Sequence, residues 1–298
     1  MRQITCPICN SAPANHPNSF EIIPCTSCGV NWTYIPEELD TDSLYRDEVY
    51  AVVDNRKSVF EKIIFSEAKK VLHQAKKLNP QASKLLDFGS GKGQFLAQAQ
   101  AEGWKVLGVE TEKSRADFAK ENYKVPVFNS FYEGGKIQGG QFDFLTLNHV
   151  LEHLPKPISL LEELVSQNLE ENGILYIEVP RADSWQAKLA GKSWMHWDIP
   201  KHLTHWTEPV LEQQLAKIGF QKVGIRSYSI HLGVLGMLQA LLSRLGFRDN
   251  LILRLKRKKT LGLILGIGLL LPFAWILEVL SVAFRKSGIF GIYFRRNA

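Results

Sequence analysis

Between Leu85 and Gly93 the chain reads LLDFGSGKG, an apolar run ending in an acid and followed by Gly89, Gly91 and Gly93. An apolar run of this kind suits a strand covered on both faces, and glycines directly after it let the backbone turn and approach a ligand closely. The surrounding residues extend the pattern. They predict strands at 84–89, 104–110, 125–128, 142–148, 173–180, 220–228 and 288–295, and helices at 92–102, 114–123, 157–169 and 209–218. Upstream, Val59, Ile63, Ile64, Ala68, Val71, Leu72 and Ala75 recur at three- and four-residue spacing, an amphipathic helix over 58–78 that Asn79-Pro80 ends. Apolar strands alternating with helices define an α/β chain with a doubly wound parallel sheet. The stretch 131–141 carries Gly134, Gly135, Gly139 and Gly140 and reads as a loop where a full helix would otherwise stand.

Open parallel sheets bind ligands at the carboxyl ends of their strands, which makes the glycine turn a candidate site. A dinucleotide fingerprint is GxGxxG; here the spacing is GxGxG, with Asp87 in front of it. A carboxylate in that place repels a pyrophosphate and suits a cationic ammonium group, such as the one on the methionine end of S-adenosylmethionine. Glu110 closes the next strand, 21 residues after Gly89, where a carboxylate can accept both hydroxyls of a ribose.

With LLDFGSGKG, VLGVE ending at Glu110, and FDFLTLNHVLEHLPKP at 142–157, the sequence resembles the class I S-adenosylmethionine-dependent methyltransferases over roughly 58–230 and again at the last strand. The resemblance implies a Rossmann-like, seven-stranded sheet whose last strand is antiparallel. It also implies that Asp87, Gly89, Gly91 and Gly93 hold the methionine part, Glu110 the ribose, and Asn129 a place near the adenine. Asn148 and His149 would then lie beside the sulfonium. The LEHLP element, Leu151 to Pro155, is shared by a subgroup acting on small metabolites, sugars and lipids.

Methyl transfer from a sulfonium is a direct displacement, so such an enzyme aligns nucleophile, methyl and sulfur and removes a proton where the nucleophile needs it. Methylases of exocyclic base amines carry an Asn/Asp-Pro-Pro-Phe/Tyr motif after the fourth strand; Asn148-His149-Val150-Leu151 stands there instead, which disfavours that substrate class. The base candidates are His196, His202 and His205 around Asp198 in WMHWDIPKHLTHWT, with His202 and His205 foremost; His149, beside the sulfonium, is the third catalytic candidate. His202-x-x-His205 resembles the EHxxYFS-like stretch of sugar methyltransferases, with His in place of Tyr at 205. The alternative is that His196, His202 and His205 only pack a lid with Trp194, Trp197 and Trp206. His153 reads as a structural residue.

All four cysteines fall in two CxxC pairs, Cys6/Cys9 and Cys25/Cys28, separated by fifteen residues. That spacing lets two knuckles converge on one tetrahedral ion, with Zn2+ expected and iron the alternative. The organisation that follows is a zinc-ribbon-like module at 1–40, a linker at 41–57, and a methyltransferase domain at 58–298 interrupted by an acceptor lid, 181–208, and an apolar, basic helical insertion, 229–286. Sugar-modifying methyltransferases with such a ribbon look similar, and so do some zinc-bearing RNA methyltransferases. Residues 1–50 hold Arg2 and Arg46 against seven acids, a balance of −5, whereas RNA binding needs cations to neutralise phosphates. Nucleic acid is therefore the disfavoured partner, and a small-molecule or lipid-linked glycan-type acceptor the expected one.

The net charge of +6 is concentrated at the carboxyl end: from Arg244 onward eleven Lys/Arg face Asp249 and Glu278, a balance of +9. Within that region 261–284 is apolar except for Glu278 and long enough to span a bilayer. A last strand at 288–295 must return beside 220–228, which a single crossing forbids. Two shorter helices broken near Pro272, in peripheral contact with a membrane through 254–286, satisfy both constraints. Buried helices capping the domain or a dimer interface are the alternative. No apolar leader precedes Cys6, so a cytoplasmic location, on the inner face of the membrane if lipid is contacted, is expected. A third function class, a non-catalytic cofactor-binding scaffold at a membrane, stays open on the sequence alone.

Overall fold

In the computed structural model, which describes residues 1–39, 54, 56–257 and 260–297, the apolar runs become strands and the periodic segments helices. The amino-terminal stretch forms a hairpin, β1 (Glu21–Pro24) and β2 (Asn31–Tyr34). Helix α1 (Val59–Leu78) is opened by a reciprocal cap: the Glu61 amide donates to Ser58 Oγ at 3.1 Å, and the Lys57 amide donates to the Glu61 carboxylate at 2.6 Å. Alternation follows through β3 (Lys84–Phe88), α2 (Gln94–Ala101), β4 (Lys105–Glu110), α3 (Lys113–Phe118), β5 (Val127–Asn129), β6 (Phe142–Asn148), α4 (Pro157–Asn168) and β7 (Leu169–Pro180). Then come α5 (Trp185–Ala190), β8 (Thr204–His205), α6 (Glu208–Lys217), β9 (Phe220–Arg226), α7 (Leu235–Arg244), α8 (Leu251–Arg257), α9 (Leu261–Ala283) and β10 (Ile289–Arg296).

These elements gather into two compact units. One takes the described parts of Met1–Ala51 with Pro180–Val210 and Ser227–Phe290; the other takes those of Val52–Val179 with Leu211–Arg226 and Gly291–Ala298. The expected linker, 41–57, lies largely outside the described residues. The second unit carries a seven-stranded sheet in the order β5-β4-β3-β6-β7-β10-β9. Strands β3 to β7 pair in parallel and β10 runs antiparallel to β9, the doubly wound sheet with a reversed last strand expected from the sequence. On one face Leu85, Phe144, Ile174, Tyr176 and Tyr293 pack against Val71, Leu72 and Ala75 of α1 and Leu96 and Ala99 of α2. Each of the larger side chains contributes roughly 1.5–3 kcal/mol by leaving water, which fixes the strand order and with it the ends that carry the site.

The first unit contains a three-stranded sheet, β1-β2-β8, and a helical part in which α5, α7 and α9 pack together. Two differences from the sequence reading stand out. The strand expected at 173–180 begins at Leu169, because Leu169 pairs with Phe142 before the register shifts to Phe144 opposite Ile174. The pair of helices expected to break near Pro272 is one helix, α9, with Pro272 inside it. A proline in a helix costs about 3 kcal/mol. Leu263, Ile267 and Leu270 before it, and Ala274 and Leu277 after it, pack into one apolar cluster with α7, and that burial on both sides carries the helix through.

Candidate functional site

In the second unit the sheet brings four candidate side chains to the carboxyl ends of neighbouring strands. Asp87 near the end of β3 is buried and accepts hydrogen bonds from Thr146 Oγ1 at 2.6 Å and Asn148 Nδ2 at 3.1 Å, both on β6. Burial pushes its carboxyl up to about 7 and the nearby Glu110 charge adds to this, against the two hydrogen bonds. Glu110, at the end of β4, accepts from the Gly91 amide at 2.7 Å and from the Glu112 amide at 2.9 Å. Asn129, closing β5, donates to the Glu110 and Thr111 carbonyls at 2.7 and 3.0 Å and so ties β5 to the end of β4. Among the described residues neither Asp87 nor Glu110 has an ion-pair partner.

The turn between these acids is built on left-handed backbone. Gly89 lies at φ 77°, Gly91 at 54° and Gly93 at 79°. A Cβ at Gly89 would strike Val150 at 2.3 Å and one at Gly93 would strike Ala119 at 2.7 Å, so these two are needed for packing. At Gly91 nothing lies within 4 Å. Its bare backbone faces open space between two uncompensated carboxylates, a cradle that fits a cation-bearing ligand with hydroxyl groups.

His149 follows β6 at φ 55°, a conformation costly for a residue with a side chain. Its amide donates to the Glu178 carbonyl at 2.9 Å, which fixes the turn. Nδ1 stands 3.4 Å from Glu152 Oε1 and Nε2 stands 3.4 Å from Glu178 Oε1. Burial disfavours the imidazolium, yet the two carboxylates outweigh it and lift the ring to about 9. The two carboxylates thus favour the imidazolium form of His149. Glu178 also meets Tyr176 and Arg226, and Arg226 reaches Glu67 at 3.3 Å. Thr146, Glu152, Glu178 and Arg226 escaped the sequence reading; the one signal was an isolated acid, Glu178, inside the apolar strand YIEVP.

The first unit holds two further clusters. The knuckle backbones match: the Asn10 amide donates to the Cys6 carbonyl and the Gly29 amide to the Cys25 carbonyl, each at 2.9 Å, with Asn10 and Gly29 both left-handed. Asparagine and glycine are the residues that accept that conformation. Cys6 and Cys28 sulfurs are 3.6 Å apart, those of Cys9 and Cys25 3.4 Å, and all four lie within 4.8 Å of one another. Thiolates 2.3 Å from a tetrahedral ion stand about 3.8 Å apart, so one ion fits this set.

The histidines of the expected lid are woven into the ribbon. β8 pairs antiparallel with β2, His205 opposite Asn31 and Thr204 opposite Trp32. The Thr33 hydroxyl donates to the His202 carbonyl at 2.6 Å, and having one proton it must accept from His205 Nε2 at 2.9 Å. Burial holds the His205 ring down to about 3, so it stands in this sheet as a neutral donor. His202 differs: its Nδ1 donates to the His196 carbonyl at 2.8 Å, which leaves Nε2 as the nitrogen that can accept a proton. Trp197 stacks edge-on to both Trp194 and His205, with ring centroids 4.7 and 5.1 Å apart.

The profile of a family described as a methyltransferase domain matches residues 60–224, more than half of the chain. The chain belongs to that family, and is a class I S-adenosylmethionine-dependent methyltransferase. Solved structures of the same fold include a SAM-dependent methyltransferase from Archaeoglobus fulgidus, 17% identical, with a TM-score of 0.50 over 86% of this chain and 100% of that one. Another is the plantazolicin methyltransferase BpumL in complex with SAH, 18% identical, with a TM-score of 0.53 over 87% of this chain and 91% of that one. Among curated proteins there is no match.

Proposed function

We propose that this enzyme transfers the methyl group of S-adenosylmethionine to a small-molecule, or lipid-linked, glycan-type acceptor. Asp87 and the turn Gly89, Gly91 and Gly93 hold the methionine portion, Glu110 the ribose, Asn129 the adenine edge, and Asn148 the neighbourhood of the sulfonium. The observation that carries this reading is the pair of buried acids, Asp87 and Glu110, flanking the open Gly91 backbone with no cation against either among the described residues. A cationic cofactor supplies what they lack. His202 is the general base for a hydroxyl acceptor, since its Nδ1–H is anchored and Nε2 is the accepting atom. Zn2+ on Cys6, Cys9, Cys25 and Cys28 holds the ribbon, and through it the strand β8 that follows His202. Those four thiols and the adjoining acids favour this structural metal over an RNA-binding role.

Calorimetry with S-adenosylmethionine and with NAD tests the central assignment. The first binds and the second does not; NAD binding alone overturns it. The pH profile adds a sharper check. Because the free carboxyl of Asp87 titrates near 7, affinity for the cationic cofactor is present above that value and is lost as pH falls through it, by up to about tenfold per unit. Asp87→Asn flattens the profile between pH 5.5 and 7.5.

His202→Ala lowers turnover by roughly a hundredfold or more while S-adenosylmethionine affinity stays within about threefold. Measurements of turnover against acceptor and of cofactor binding separate the two effects, and unchanged turnover removes His202 from the mechanism.

A further inference from the structure

Helix α9 is turned inside out relative to a surface helix of a soluble protein. Its inward stripe is Leu263, Ile267, Leu270, Ala274 and Leu277, packed with Val234, Met237 and Leu238, with Leu251 in the same cluster. The opposite face of an ordinary surface helix is polar. Here it is apolar along the whole length: Leu261, Leu265 and Leu269 are 73%, 64% and 68% exposed, Phe273 57%, Trp275 52% and Leu280 46%. The two polar residues of the helix, Glu278 and Ser281, are both fully buried. Gln186 Nε2 donates to the Glu278 carboxylate at 2.6 Å and the Gly288 amide donates at 2.9 Å, so the acid pins the helix to α5 and to the approach of β10. Twenty-three residues give an apolar strip about 35 Å long.

We infer that α9 is the surface by which the enzyme docks on an anionic lipid bilayer, lying in the plane of the interface without crossing it. The charge pattern selects this occupant. Five of the six residues at 254–259 are Lys or Arg, directly before the apolar strip, and no acid lies among them. A bilayer with anionic headgroups offers acyl chains to the strip and counter-charge to the basic segment at the same time, and demands no matching shape. Another protein surface would have to supply both over the whole strip. Crossing is opposed by the neighbours of α9. Its inward face is occupied by α7 and its acid is pinned at Gln186 and Gly288, so insertion across a bilayer would drag those elements in or tear the contacts, and would carry the basic segment through hydrocarbon. Lipid contact places an enzyme of this class beside acceptors that are themselves held in a membrane. The inference stands on α9 alone and does not depend on the roles assigned to Asp87, Glu110 or His202.

Cosedimentation of the full chain with vesicles of phosphatidylcholine and phosphatidylglycerol at 3:1, against phosphatidylcholine alone, tests it. Binding is expected on the anionic vesicles and is weakened by salt. Replacing the cations of 254–259 by glutamine costs roughly fivefold for each one removed. Leu265→Glu with Leu269→Glu and Phe273→Glu lowers vesicle affinity at least tenfold, while the same protein titrates S-adenosylmethionine as before, which shows that it is folded. Absence of sedimentation, or equal binding by the triple variant, overturns the inference. So does a chain that dimerises in solution through these residues with no vesicle affinity, since the occupant is then a second copy. Bound protein that resists extraction at alkaline pH overturns the in-plane geometry.

Discussion

Glu110→Ala is expected to weaken S-adenosylmethionine binding by at least about a hundredfold in calorimetry, since two hydrogen bonds to a charged group contribute roughly 1.5–3 kcal/mol each. The carboxylate has two functions to lose. In the free protein its oxygens accept from the Gly91 and Glu112 amides at 2.7 and 2.9 Å, bracing the glycine turn and the turn after β4 together. Their remaining lone pairs are those a ribose would use. Alanine removes the brace and the ligand contact in one step. Glu110→Gln keeps an acceptor oxygen for one of the two amides and is expected to fall between wild type and alanine. A thermal midpoint within a few degrees of wild type shows that the sheet is intact, because Leu85, Phe144 and Tyr176 are untouched by either change. Wild-type affinity in a folded Glu110→Ala protein would sink the ribose assignment.

That the acids could be placed in advance follows from how a parallel sheet encodes itself. Strands buried on both faces are apolar throughout, so a charged residue near the end of one is conspicuous, as Asp87 is one residue before the end of β3 and Glu110 at the end of β4. The glycines were equally legible, since a turn with φ of 77°, 54° and 79° at alternate positions has few other solutions. What the sequence could not carry is pairing across long separations. Strand β8 is two residues long, has no periodicity to detect, and exists because Thr33 and Trp32 receive it some 170 residues away. The Trp/His stretch therefore read as a free insertion, although it is stitched into the ribbon. The charge of His149 was hidden for the same reason: its state is set by Glu152, three residues on, and Glu178, on another strand. In α9 a local rule, that proline breaks helices, lost to packing supplied by α7.

On the proposed assignment of Zn2+ to the four-cysteine cluster, stripping the metal is expected to cost more than any single substitution, because a structural zinc in a small module contributes roughly 10–16 kcal/mol of apparent binding free energy that is spent on folding. Cys6, Cys25 and Cys28 are buried side by side, and without an ion four clustered sulfurs offer little cohesion of their own. The consequences run beyond residues 1–36. Thr33 receives His205, its amide takes the Leu203 carbonyl at 3.0 Å, and Gln3 Nε2 donates to the Thr33 and Leu203 carbonyls at 2.7 and 3.2 Å, so loosening the hairpin releases β8 and the His202 beside it. Chelation, or Cys25→Ser, should therefore abolish hydrogen-exchange protection at 31–35 and 203–205 and with it methyl transfer. Amides of β3, β4 and β6 keep their protection, and S-adenosylmethionine still binds within about threefold, because those strands have their own core. One zinc per chain by elemental analysis is the companion measurement; a red protein carrying iron would reassign the ion but not the argument. If β8 stays protected after the metal is gone, the ribbon is not what positions His202, and the loss of activity would need another cause.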